Sequence, residues 1–172
     1  MNYFELFEMP VSLTVAQDEL SAKYLALQKK YDPDLFSNEN KDQQGEMQEK
    51  SSMINKGLKI LNDPEEIIKY VLSLKGLLKD EEKYELPAGF IMEMMELNEG
   101  LMEGDILNIE EAETKIFQLQ KSLYQEVQNI IEGYSDDTTT GAQLLQVKDY
   151  YYKKKYLDGI LERLGGMRNI AG

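Results

Sequence analysis

The sequence predicts an all-α protein, with a small N-terminal helical domain followed by a C-terminal three-helix bundle. Apolar residues recur at alternating intervals of four and three in successive segments, the signature of one helical face. No segment alternates apolar and polar residues as a strand does. Capping residues, prolines and glycines punctuate the periodic stretches.

Taken in order, residues 2–9 crowd Tyr3, Phe4, Leu6 and Phe7 ahead of Pro10, which reads as a short buried helix or turn. Thr14 and Gln17 have capping-box spacing, so the second helix is expected to open near Thr14. Leu20, Tyr24, Leu27 and Tyr31 then mark one apolar face. Pro33 has no amide donor and disfavours a helical Asp32, which stops the helix at Tyr31. The polar stretch 37–46, which includes Gly45, is expected as a loop.

A third helix carries Met47, Ser51, Ile54, Leu58 and Leu61, with Gly57 inside it at a cost of about 1 kcal/mol against alanine. The fourth has an Asp63 cap, Pro64 at its first position, Glu65 and Glu66 at the positive end of the helix dipole, and Gly76 at its close. The second and third helices form an antiparallel hairpin braced by the first and fourth. The domain boundaries are 1–76, a charged linker 77–86, and 87–172.

In the C-terminal part, one helix runs from Pro87 to about Glu103 with Gly104 beyond it. A second runs from an Asn108 cap, with Glu111 three residues later, to Gly133. Residues 134–141 form a loop, and a last helix runs from Ala142 to Leu164, ending at Gly165-Gly166. Three long helices on short loops make an antiparallel bundle.

Composition narrows the function. The chain of 172 residues is 42% apolar and 30% charged, so it folds and is long enough for a sizeable core. With 32 acidic against 19 basic residues, the formal charge is −13, and the dispersed lysines argue against a nucleic-acid footprint. Cysteine and histidine are absent, which removes disulfides, thiolate metal sites, cysteine nucleophiles and imidazole bases. No calcium loop or phosphate loop appears, so neither a metal nor a cofactor is expected. Nothing approaches the ~20 apolar residues of a membrane span or the pattern of a signal peptide, which predicts a cytoplasmic protein.

Five groups of residues carry a family resemblance: Asn2 to Phe7, Gln28 to Phe36, Ile54 to Leu58 with Leu61 to Pro64, Tyr70 to Gly76, and Phe90 to Glu99 with Tyr156-Leu157-Asp158. Together they resemble the HscB type of J-domain co-chaperone over nearly the whole chain. The resemblance implies a J-domain at 1–76 that engages a DnaK-type ATPase chaperone (HscA-like) and stimulates ATP hydrolysis. It also implies a C-terminal domain that binds an iron-sulfur scaffold protein (IscU-like). The protein itself would be neither an enzyme nor a cluster carrier.

Three positions depart from the family pattern. The chaperone-contacting signature His-Pro-Asp is replaced by Asp32-Pro33-Asp34, with Leu35 where a basic residue usually follows. An imidazole can donate a hydrogen bond and carry positive charge, whereas an ionised aspartate only accepts and is negative. Ile67 stands where the family has arginine. The resemblance therefore implies a chaperone-binding set of Lys23, Lys29, Lys30, Asp32, Pro33 and Asp34, with weakened stimulation.

For the scaffold, Phe90, Met94, Leu97 and Leu101 already provide a core face, which leaves Ile91, Met92 and Met95 partly exposed. An exposed methionine-rich patch is an adaptable binding surface. Glu96 and Glu99 flank it and are suited to pair with basic residues on a scaffold. The resemblance adds Tyr156 as an aromatic anchor, its other reading being a core aromatic beside Tyr150, Tyr151 and Tyr152. Lys153, Lys154 and Lys155 read as a solvated helix face.

Overall fold

A computed structural model describes residues 1–36, 40–101 and 106–171, and every described element is helical. The chain forms two compact units, Met1–Gly76 together with Tyr134–Thr139, and Leu77–Gly133 together with Thr140–Gly172.

In the first unit, α1 (Tyr3–Leu6) is closed by a capping box in which Asn2 Oδ1 accepts the Glu5 amide at 2.8 Å and the Glu5 carboxylate accepts the Asn2 amide at 3.2 Å. This lets a helix of one turn bury Phe4 and Leu6, with Phe7 buried just beyond. Its aromatic side meets α4 (Pro64–Leu74), where the rings of Tyr3 and Phe4 lie 5.1 and 5.9 Å from that of Tyr70. The Tyr70 hydroxyl also accepts the Tyr3 amide at 2.9 Å.

Helix α2 spans Gln17–Lys30, three residues later than its expected start. Ala16 occupies the cap position without a side-chain bond, and the Thr14–Gln17 capping box does not form. Both groups are used elsewhere: the Thr14 amide donates to the Ser12 hydroxyl, and the Gln17 side chain donates to the Leu61 carbonyl at 3.1 Å. The exit is as expected, with Tyr31 as C-cap.

The expected loop 37–46 is corrected in its second half. Asn40 caps α3 (Lys41–Leu61) by accepting the Gln43 amide at 2.8 Å, so residues 41–46, including Gly45, are helical. Residues 37–39 lie outside the described part. Three contacts order α2 against α3: Gln17 with Leu61, Tyr24 with Asn55, and Tyr31 with Lys50. Partner numbers fall as α2 advances, which makes the hairpin antiparallel.

Gly57 is where α1 seats on α3. A Cβ there would stand 2.9 Å from both Phe7 Cε2 and Tyr3 Cδ1, so glycine is required by close packing. Gly57→Ala is expected to destabilise this unit by about 1 kcal/mol net, overpacking of roughly 1–3 kcal/mol outweighing alanine's helix preference of about 1 kcal/mol. Urea unfolding followed by circular dichroism measures it. The fourth helix follows its signals: Asp63 Oδ1 accepts the amides of Glu65 and Glu66, Pro64 opens the helix, and Gly76 turns the chain at φ +73°.

The second unit contains α5 (Ala88–Leu101), α6 (Ile106–Glu132) and α7 (Gly141–Ala171). The expected Glu103 end and Gly104 stop of α5 lie outside the described residues, as does the side chain of Leu101. Asn108 lies inside α6 rather than at its cap, because the helix already includes Ile106. The expected stop at Gly133 holds. Thr140 then caps α7 reciprocally with Gln143, at 3.1 and 2.9 Å.

The Gly165-Gly166 stop is overturned, since α7 continues to Ala171. Leu164 is buried just before the pair, and Arg168 just after it reaches Glu113 on α6 at 3.0 Å, so packing and an ion pair on both sides carry the helix through. Tyr124 against Tyr150, Gln120 against Asp158 and Glu113 against Arg168 show α6 and α7 running antiparallel. Their core includes Ile109, Ile116, Val147, Leu157, Ile160 and Leu164.

Residues 77–86, expected as a linker, are non-helical and belong to the second unit, where they are strapped onto α7. Leu78 is buried, Lys148 donates to the Leu77 carbonyl at 2.7 Å, and Glu82 accepts from the Tyr152 hydroxyl at 2.7 Å and pairs with Lys148 at 3.1 Å. The Tyr84 and Tyr152 rings stack at 4.4 Å, and the Tyr84 hydroxyl donates to Asp149 at 2.9 Å.

The charges of the strap shift accordingly. The Tyr152 hydroxyl first, and Lys148 second among its stabilising partners, hold the Glu82 carboxyl below its ordinary range. Burial and the Asp149 carboxylate push Tyr84 up to about 12. Glu82 therefore stabilises the unit fully above the ordinary glutamate pKa, and this contribution fades as pH falls through the lowered value. Tyr152→Phe is expected to cost about 1 kcal/mol at neutral pH, a deficit that closes as pH falls through the lowered Glu82 value, read from urea midpoints across a pH series.

Candidate functional site

Two surfaces are built from the residues singled out in the sequence, one on each unit. In the first unit, the chain leaves α2 at Tyr31 and enters a 3-10 turn, Pro33–Phe36. Asp32 organises that turn twice over: its carbonyl accepts the Leu35 amide at 3.0 Å, and its Oδ1 accepts the Asp34 amide at 3.0 Å. The carboxylate thus serves as a local cap, a task that suits aspartate in a turn. Asp34 is exposed and Leu35 is 67% exposed, so the tip presents an acid beside an aliphatic side chain. The side chain of Pro33 lies outside the described part.

Behind the corner, between α2 and α3, runs an open groove of about 360 Å³ lined by Leu25, Gln28, Lys29, Asp32, Ser51 and Ile54 among others. Leu25 is a largely exposed aliphatic at its edge. Lys29 and Asp32 therefore share one concavity. The Lys30 ammonium sits 5.4 Å above the Tyr31 ring, on the opposite charge balance from the acidic tip.

Lys23 lies two turns back on the face of Lys30, about 10 Å along the axis. Its ammonium is engaged by the Glu8 carbonyl at 2.6 Å and Glu19 at 3.3 Å. The structure thus brings Lys29 and Asp32 to one groove, with Lys30 on the Tyr31 ring and Asp34 at the exposed tip, and leaves Lys23 apart and partnered. Ile67 is in the core of this unit, 2% exposed, so the position is filled by packing rather than by charge.

In the second unit, α5 divides into two faces. Phe90 and Met94 are buried and Leu97 half-buried, whereas Met92 and Met95 are 65% and 62% exposed, with Glu96 and Glu99 exposed beside them. At 100° per residue these four point away from the bundle core, and Ile91 sits half-buried on the flank. Met92 and Met95 are one turn apart, and each has a glutamate four residues further on, so sulfur and carboxylate neighbour each other twice.

Tyr156 is half-buried and meets Phe90 edge-on, with centroids 5.9 Å apart at 75°. It flanks the base of α5 and is not grouped with the outward methionines. A groove of about 430 Å³ between α5 and α6 adds Glu93, Lys115 and Gln118 to the surroundings of Glu96. Sequence reasoning passed over Phe117, 57% exposed on α6; its place directly after the core position Ile116 was the signal. Lys153, Lys154 and Lys155, read as a solvated face, are drawn into the unit's own contacts with Asp149, Asp158 and the Tyr151 ring.

Among the described residues no group of acidic side chains is arranged to hold a metal ion, and no helix is long and apolar enough to cross a membrane. Both surfaces are broad, charged at their edges and open, which suits protein partners.

Comparisons with known proteins agree in one direction. Residues 86–165 match the family described as the HSCB C-terminal oligomerisation domain. A co-chaperone protein HscB homolog from Haemophilus ducreyi is 31% identical over 159 residues, covering 89% of this chain and 90% of that protein. Among solved structures, the human co-chaperone protein HscB has a TM-score of 0.77 at 25% identity, covering 98% of this chain and 82% of that one. The chaperone HscB from Vibrio cholerae has a TM-score of 0.72 at 24% identity over the full length of both.

Proposed function

We propose, because the chain belongs to the HscB family of co-chaperones, that it binds an iron-sulfur scaffold protein of the IscU type through its second unit and presents it to a DnaK-type ATPase chaperone of the HscA type. The observation that carries this reading is the outward face of α5, where two exposed methionines are ringed by Glu96 and Glu99 on a helix whose opposite face is already packed. Met92, Met95, Glu96 and Glu99 form the centre of the scaffold site, with Ile91 and Tyr156 at its flank. Methionine adapts to a partner's relief and the carboxylates select a basic one.

On the first unit, Lys29, Lys30, Asp32, Pro33 and Asp34 form the chaperone contact, with Lys23 contributing at a distance. Because Asp32 accepts hydrogen bonds and carries negative charge where the family signature has histidine, stimulation of ATP hydrolysis is weakened. The protein acts by binding and not by turnover, and its place of action is the cytoplasm.

A second reading is favoured by Asp32 itself: an adaptor that holds the scaffold and has lost chaperone coupling. Titration calorimetry against a purified IscU-type scaffold and, separately, an HscA-type chaperone distinguishes the two. Complexes with both are expected. Binding to the scaffold alone selects the adaptor, and binding to neither removes the co-chaperone assignment.

A further inference from the structure

We infer that Met92 and Met95 form a peroxide-sensitive modification site that switches off partner binding by the α5 face, an inference that rests on the scaffold-binding reading above. The chain has no cysteine, so its thioethers are the sulfur atoms open to two-electron oxidants. Their exposure is uneven. Met92 and Met95 are 65% and 62% exposed, Met94 between them is 1% exposed, and Met9, Met47, Met53 and Met167 are half-buried. Met1, 79% exposed, stands in the other unit, and Met102 lies outside the described residues.

The chemistry is oxygen transfer from hydrogen peroxide or an organic hydroperoxide. An S–O bond forms as the O–O bond breaks; sulfur is oxidised by two electrons, and the peroxide is reduced and leaves as water or alcohol. The product, methionine sulfoxide, is polar and accepts hydrogen bonds, where the thioether was soft and apolar. Buried, that change disrupts packing. On the outward face of α5 it leaves the core formed by Phe90 and Met94 untouched and alters only the surface a partner would cover.

Three features make this a switch and not general damage. Both sulfurs lie on one face a single turn apart, so both oxidations fall within one footprint. Glu96 and Glu99 already bring negative charge to that footprint, and two sulfoxide oxygens add acceptors without a donor, which leaves a partner's apolar contact unmatched. The lesion is also reversible by methionine sulfoxide reductases, which return the oxygen as water at the expense of thiols.

The full-length protein is treated with hydrogen peroxide, the peroxide is removed, and peptide mass spectrometry, melting temperature and affinity for a purified IscU-type scaffold are measured. One added oxygen on each of Met92 and Met95 is expected before any on Met94. The dissociation constant should rise about tenfold or more. The melting temperature should be unchanged, and affinity should return after reduction with sulfoxide reductases. Met92→Leu/Met95→Leu, compared with itself before and after treatment, should show no change of scaffold affinity with peroxide.

Undiminished affinity of the doubly oxidised protein overturns the switch, as does an equal peroxide effect in the leucine variant. Failure of the scaffold reading looks different: the unoxidised protein forms no complex, or Met92→Ala/Met95→Ala binds as the parent does. The switch then falls with the reading.

Discussion

Met92→Ala with Met95→Ala is expected to raise the dissociation constant for an IscU-type scaffold by roughly thirtyfold or more while leaving the melting temperature unchanged. The expectation follows from the division of α5. Truncating a central interface anchor costs about 2 kcal/mol, a factor of roughly thirty. Truncating a buried methionine costs about 2–5 kcal/mol of stability, which is the fate of Met94→Ala at the 1% exposed position between them. Tyr156→Ala is a mixed case, since it removes the edge-on contact with Phe90, worth about 0.5–1.5 kcal/mol, and lowers stability together with affinity. Calorimetric titration and thermal unfolding of the same variants separate the three behaviours. A melting temperature that drops as far for Met92→Ala/Met95→Ala as for Met94→Ala would place the pair in the core.

Where the sequence predicted these elements well, the determinants were local. The Asp63-Pro64 start and Gly76 finish of α4 depend on caps, a missing amide and a positive φ, all readable over a few residues. The exposure of Met92 and Met95 followed from counting which residues of α5 already filled its inner face. The misplaced boundaries have tertiary causes. Thr14 and Gln17 have capping-box spacing, yet Gln17 reaches a carbonyl 44 positions away, and nothing near residue 17 announces that bond. Gly165-Gly166 reads as a stop until Leu164 is packed and Arg168 finds Glu113 on another helix. The charged stretch 77–86 lacks a period, as an extended segment should, but its tie to Lys148, Asp149 and Tyr152 spans over 60 residues. Propensity and capping are weak priors that long-range contacts override.

Asp32→His is expected to raise stimulation of an HscA-type ATPase, with the half-saturating concentration of the co-chaperone falling about tenfold. A restored charge-assisted hydrogen bond to a partner is worth about 1.5–3 kcal/mol, enough for a factor of ten or more. The substitution has a local cost, because Asp32 Oδ1 holds the Asp34 amide at 3.0 Å. A neutral imidazole can accept the same bond through one ring nitrogen and still offer the other as donor. Asp32→Asn is the control: it keeps an accepting oxygen for the turn and adds an amide donor, but it cannot become cationic. If stimulation tracks positive charge, histidine exceeds asparagine at low pH and the gap narrows as pH rises through the imidazole range. If it tracks donation alone, both variants recover equally at every pH. Full stimulation by the unaltered protein would show that the acidic corner is no impairment. Stimulation of its own chaperone but not of an HscA from another organism would mean that the partner has adapted to the carboxylate, with a cation facing Asp32 across the interface.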